Sequence, residues 1–179
     1  FDIDTFGGRV DAATVIRDAI LDADALTIAF INKRAISAGA LIAMSCDKIV
    51  MAKGGEIGAV TPVSGAGEKA GDKYVSVMRA EMRATAERTG RDPEIAEAMV
   101  DERIEIPGFS DVVGRPATLT TSEALHYRVA DETAETIIDV LRIYDLDNAK
   151  IVEVEINWAE HVVRILTHPV VTSILLSVA

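Results

Sequence analysis

The chain has 179 residues, with 18 Lys and Arg against 29 Asp and Glu, a formal net charge of −11. That balance excludes a protein that holds nucleic acid by neutralising phosphates, and one drawn to anionic lipid by charge. An apolar fraction of 49% with only 4% aromatics excludes a disordered chain and predicts a core of Ala, Val, Ile and Leu. The single Cys46 leaves no internal disulfide and no cysteine zinc site.

In chain order, Phe1–Asp4 alternates as a strand and runs into Thr5-Phe6-Gly7-Gly8. A strand already alternating at residue 1, without a starting Met or a signal peptide, reads as the continuation of something longer. Val10, Ala13, Ile16 and Ile20 recur at helical spacing and predict a helix over 10–23. Leu26–Ile31 is a short apolar run, expected to be a buried strand. Ser37 to Met44 reads as a small-residue helix with Ser37 at its mouth, Ile49–Ala52 as another strand, and Gly54-Gly55 as a turn. This rhythm implies a parallel sheet and an α/β fold. A charged helix is expected over 71–89, a second over about 94–102, and loop from Gly108 to Thr120. Another helix opens near Thr121-Ser122-Glu123, capped by Thr121 or Ser122. Val152–Ile156 alternates as a strand.

From Ile165 to Ala179 no residue carries a formal charge, and Val170–Leu176 is strongly apolar. The run is shorter than the roughly 20 apolar residues that span a bilayer, so a core helix and the beginning of a membrane span both fit. Trp158 to Arg164 would suit an interfacial lead-in.

Three features bear on chemistry. Gly7-Gly8 ends a strand before a helix, where backbone N–H groups can approach an oxyanion closely; a plain turn would read the same way. Ser37 stands at a helix start, the usual place of a cap, yet small neighbours Ala38 and Gly39 leave room for a substrate backbone. A serine nucleophile needs a base. His126 follows a helix start and reads as a surface residue, whereas His161 and His168 sit in the apolar C-terminal region with no Asp placed to orient them. A lysine can take the role instead, and Lys33, Lys48, Lys53, Lys69, Lys73 and Lys150 all remain open.

These segments together resemble a family. Ile3–Ala13 resembles the "LDTPGG-xVDAA" segment of ClpP-like membrane serine proteases of the NfeD type. Ile36–Ala43 matches their "SAGAYIA" segment, and Ile49–Val63 resembles "IVMAPGTxIGAATPV". Glu87–Pro93 through Val100 looks like the following helix pair, and Leu119–Leu125 matches "LTLTxxEAL". The resemblance covers essentially the whole chain, and the first three blocks in this order are specific.

The resemblance implies a ClpP/crotonase-like spiral of parallel strands and helices that lacks its first strand and helix. Residues 1–156 would form the protease domain, and 157–179 an amphipathic lead-in and the start of a membrane-spanning helix near Pro169. It implies Ser37 as nucleophile and Lys73, followed by Tyr74, as base, with Lys69 the near alternative. Gly7, Gly8 and Ala38 would supply oxyanion donors. It further implies a membrane-anchored, extracytoplasmic peptidase acting on hydrophobic segments of stomatin-like membrane proteins. That enzyme would be a homo-oligomer, a dimer or higher, and would need no cofactor or metal. Two positions depart from the pattern: Phe6 and Lys53 stand where the family has Pro. Two other readings compete. One is a non-catalytic scaffold of the same fold that binds a membrane partner. The other is a crotonase-type acyl-CoA enzyme, which the acidic balance disfavours.

Overall fold

The sheet is organised around one long strand. A computed structural model of the chain describes residues 1–64, 67–106, 108, 114–150, 152 and 171. β1 is Asp2–Thr5, α1 Val10–Leu21 and β2 Ile28–Ile36. They are followed by α2 (Ala38–Ser45), β3 (Lys48–Met51), β4 (Glu56–Gly58) and α3 (Asp72–Thr89). The remaining elements are α4 (Pro93–Ala98), β5 (Thr118–Thr120), α5 (Thr121–His126), β6 (Glu132–Thr133) and α6 (Ile137–Ile143).

β2 pairs in parallel with β1 (Ile3 opposite Ile31), with β3 (Ala29 opposite Ile49) and, further along, with β4 (Ala35 opposite Ile57). β6 adds in parallel to β3, and β5 adds antiparallel to β4, so the order is β5-β4-β2-β3-β6 with β1 alongside β2. Because side chains alternate across a strand, Ala29, Ile31, Ile49 and Met51 enter the main core under the helices. Phe30 and Val50 face the other way, into a smaller cluster with Val140 of α6. Both faces of the central strands are thus covered, as the continuous apolar runs required.

Several expectations are corrected. The strand expected at 26–31 continues to Ile36 through polar Asn32-Lys33-Arg34, because ladders to β1 and β4 satisfy its backbone. The helix expected over about 94–102 ends at Ala98. β5 lies at 118–120, inside the segment expected as loop. The cap of α5 is Thr120 rather than Thr121 or Ser122: its side chain accepts from the Glu123 N–H while Glu123 accepts from the Thr120 N–H. Freed from capping, the Thr121 hydroxyl is buried and donates to the Ala52 carbonyl.

Residues Phe1–Asp147 form one compact unit and Asn148–Ala179 a second. Among the described residues no helix is long and apolar enough to cross a membrane. The expected strand at 152–156 and the expected lead-in and span at 157–179 lie outside the described residues, apart from Val152 and Val171.

Candidate active site

β2 delivers the chain into α2 through Ser37, which adopts φ 56° and ψ −117°. A non-glycine residue at positive φ costs on the order of 1–3 kcal/mol and persists only where its surroundings hold it. They do so from both sides. The Ser37 N–H donates to the Gly58 carbonyl at 2.9 Å, and the Ser37 carbonyl accepts from Ala40 and Leu41 at 3.0 and 3.3 Å. Although Ser37 occupies the N-cap position, its side chain makes no capping hydrogen bond. The plain capping role therefore does not apply, and the hydroxyl is left for something else.

The turn before α1 packs directly on this residue. Gly7 has φ +128°, and a Cβ there would lie 2.9 Å from Ser37 Cβ and 3.3 Å from its Oγ. Glycine is needed both for the backbone angle and for the space. The Gly7 N–H is already used, donating to Thr5 Oγ1 at 3.1 Å, while Thr5 Oγ1 donates to the Gly7 carbonyl. Thr5 thereby closes the turn, and Gly7 contributes shape rather than a spare donor. The Gly8 and Ala38 N–H groups have no acceptor among the described residues. Both residues line a cavity of about 130 Å³ together with Ser37, Val10, Val60 and Met78. The N-terminal end of α2 faces this cavity, and its dipole favours negative charge there.

Phe6, where the family has Pro, projects outward, and the Arg34 guanidinium stacks over its ring at 4.3 Å. Arg34 also donates to Asp4 through two nitrogens, tying the turn to β1. At the other end of α2, buried Arg91 donates to the carbonyls of Met44, Cys46, Asp47 and Val129. Burial pushes the Arg91 guanidinium down from its ordinary value, and Asp131, 3.3 Å away, counters this. The short helix is thus held at both ends. Thr5 and Arg91 are functional supports that the sequence reading passed over. A Thr two residues before a Gly is a turn signal that could have been used. Nothing in the spacing announces that Arg91 folds inward.

Four of the six lysines have an acidic partner, and exposed Lys150 has no ion pair among the described residues. Lys33 pairs with Asp4, Lys48 with Asp131, Lys53 with Glu135, and Lys69 with Glu102. Lys73 lies exposed in the first turn of α3 and has no ionic partner among the described residues. It makes no hydrogen bond to Ser37, and the next residue, Tyr74, is the one that lines the adjoining groove. His126 is exposed and contacts Tyr127 edge-on. His161 and His168 lie outside the described residues. Cys46 is fully buried, and burial pushes its thiol up to about 11, which removes it as a competing nucleophile.

A model of the NfeD1b N-terminal domain matches residues 1–154. The chain belongs to the NfeD1b family. It is 36% identical over 178 residues to membrane protein NfeD1b of Bacillus subtilis (strain 168), covering 99% of this chain and 41% of that protein. The chain therefore spans less than half the length of this curated relative. Among solved structures it matches the 1510-N membrane-bound stomatin-specific protease of Pyrococcus horikoshii in two variants. A lysine-to-alanine variant in complex with a substrate peptide aligns at TM-score 0.71 and 25% identity, over 90% of this chain and 79% of that one. A serine-to-alanine variant aligns at TM-score 0.66 and 29% identity, over 79% and 66%. ClpP1 from Listeria monocytogenes shares the fold, at TM-score 0.54 and 20% identity over 75% and 72%. The NfeD1b-type domain thus has a ClpP-like α/β fold and is homologous to a membrane protease.

Proposed function

We propose that this NfeD1b-type domain is a serine endopeptidase in which Ser37 attacks and Lys73 is the base. The observation that carries the reading is the Ser37 hydroxyl. It is held at a strained φ, released from capping, and set in a cavity beside two N–H groups without acceptors among the described residues. Lys73 removes the Ser37 proton as Oγ bonds to the peptide carbonyl carbon. The Gly8 and Ala38 N–H groups hold the resulting oxyanion, in a place where the α2 dipole adds to the effect. Lys73 returns the proton to the departing amine, and water then hydrolyses the acyl-enzyme.

Lys73 is favoured over Lys69 because the Lys69 amine is committed to Glu102. The reading requires the first turn of α3, or the flexible four-carbon stem of Lys73, to bring the amine inward when peptide binds. Substrates are apolar segments of membrane-associated, stomatin-like proteins; the support is the 1510-N protease, named as stomatin-specific and solved with a substrate peptide. The domain would act as a homo-oligomer on the extracytoplasmic side, anchored through the segment that begins near Pro169.

A non-catalytic scaffold is the second reading, favoured by the absence of a Lys73–Ser37 hydrogen bond. Hydrolysis of an apolar fluorogenic peptide separates the two. The dyad predicts no turnover by Ser37→Ala, a loss on the order of 10²–10⁴-fold in Lys73→Ala, and less than tenfold in Lys69→Ala. Equal tolerance of both lysine changes would sink the dyad, and turnover by Ser37→Ala would remove the nucleophile.

A further inference from the structure

The cavity at Ser37 continues into a groove of about 800 Å³, and Arg9, Val10, Pro62, Val63 and Met78 line both. The far wall is one face of α3, where Tyr74, Val77, Met78 and Glu81 stand at helical spacing. Most of this surface is apolar and exposed: Tyr74 and Val77 are 66% and 59% accessible, and Val63 62%. The carboxylates of Asp11, Glu68 and Glu81 line it too, and among them Glu81 stands apart. Its Oε1 is buried and has no hydrogen-bond partner among the described residues.

A buried carboxylate oxygen without a donor is costly unless something supplies one. The two cations that line the groove are already engaged. Arg9 pairs with Asp11, and Lys69 is turned to Glu102. Arg17, which reaches across from α1, donates to Thr85 and Asp18 instead. The groove therefore offers apolar walls and, among its carboxylates Asp11, Glu68 and Glu81, one oxygen buried without a donor among the described residues.

We propose that Glu81 is a specificity-determining residue that selects peptides carrying a Lys or Arg within an apolar stretch. The inference rests on the peptidase reading of Ser37. From Met78, which touches the cavity at Ser37, to Glu81 is three residues, about 4.5 Å along the helix. An extended peptide advances about 3.3 Å per residue, so the favoured basic residue lies one or two places further along the groove than the side chain resting on Met78.

The test uses the 179-residue chain with Ser37→Ala, so that binding is read without turnover. Fluorescent ten-residue peptides of Leu, Val and Met carry one Lys at each position in turn, with norleucine and Glu versions as controls. The expected result is one Lys position that binds at least tenfold tighter than norleucine, with Arg equivalent. Adding Glu81→Gln brings that peptide to the norleucine level. Adding Glu81→Lys reverses the order, so that the Glu peptide binds best, which a misfolded variant could not do. Absence of any preferred Lys position, or a preference that survives both Glu81 changes, overturns the inference. Cleavage by the unmodified chain is measured separately. If it fails while the Glu81-dependent preference holds, the peptidase reading is at fault and the recognition stands.

Discussion

Replacing Gly39 by Ala tests how closely α2 must sit on β1 to present Ser37. A Cβ at Gly39 would lie 2.5 Å from Thr5 Cγ2, against an ordinary carbon contact of about 3.5–4.0 Å, so a gap of more than 1 Å has to open. Two relaxations are available. Either α2 retreats, carrying Ser37 and Ala38 away from Gly8, or Thr5 rotates and gives up the bond that closes the Gly7 turn. Overpacking of this kind costs about 1–3 kcal/mol, and the gain from placing Ala instead of Gly in a helix offsets at most about 1 kcal/mol. The net expectation is a loss of about 0.5–2 kcal/mol in urea denaturation. Misplacement of the reacting groups by about 1 Å adds on the order of a hundredfold loss in peptide turnover. Thr5→Ser removes Cγ2 but keeps Oγ, so the double variant relieves the clash. A double-mutant cycle should therefore show coupling of about 1–2 kcal/mol, with the double variant more stable than Gly39→Ala alone. A Gly39→Ala protein as stable as the parent, with no coupling to Thr5→Ser, would refute the account of this contact.

Arg91→Ala strips four carbonyls and Asp131 of a buried donor and should cost about 3–5 kcal/mol in chemical denaturation; a loss under 1 kcal/mol would mean that the helix end does not depend on it. Asp101 is fully buried, and hydrogen bonds from Arg103, with the charges of Arg103 and Arg79 beside it, hold its carboxyl well below the usual carboxylate range. A folded-state value below the unfolded one means that its contribution is complete above about pH 4 and is lost as pH falls through that range towards the folded value. Asp101→Asn should accordingly flatten the acid limb of stability against pH, and an unchanged limb would assign it to other groups. Cys46, with its thiol raised to about 11, should resist iodoacetamide at pH 8 until the protein is denatured, whereas rapid native alkylation would contradict its burial.

The parts of the fold readable from the chain were those governed by periodicity. The α1 spacing, the apolar run of β2, the small-residue helix α2 and the charged helix α3 all follow from local pattern. β4, β5 and β6, two or three residues each, were not readable, because strands so short exist only through the neighbours they pair with. At the site, Ser37 was visible as a serine at a helix mouth, but its freedom from capping depends on a backbone angle held by Gly58 in a distant strand. The lysines illustrate the same limit. Six looked alike in sequence, and it took partners far along the chain, Asp131 for Lys48 and Glu135 for Lys53, to set those two apart from Lys73. Glu81 was hidden for a further reason. On a helix rich in charge it looks solvated, and only the folded structure shows one of its oxygens buried without a partner among the described residues.

The central claim is that Ser37 is an activated nucleophile, and labelling with a fluorophosphonate probe tests it most directly. The account predicts stoichiometric modification mapped by mass spectrometry to Ser37, absent in Ser37→Ala and slowed at least a hundredfold in Lys73→Ala. Labelling of a different residue, or of Ser37 at an equal rate without Lys73, would contradict it.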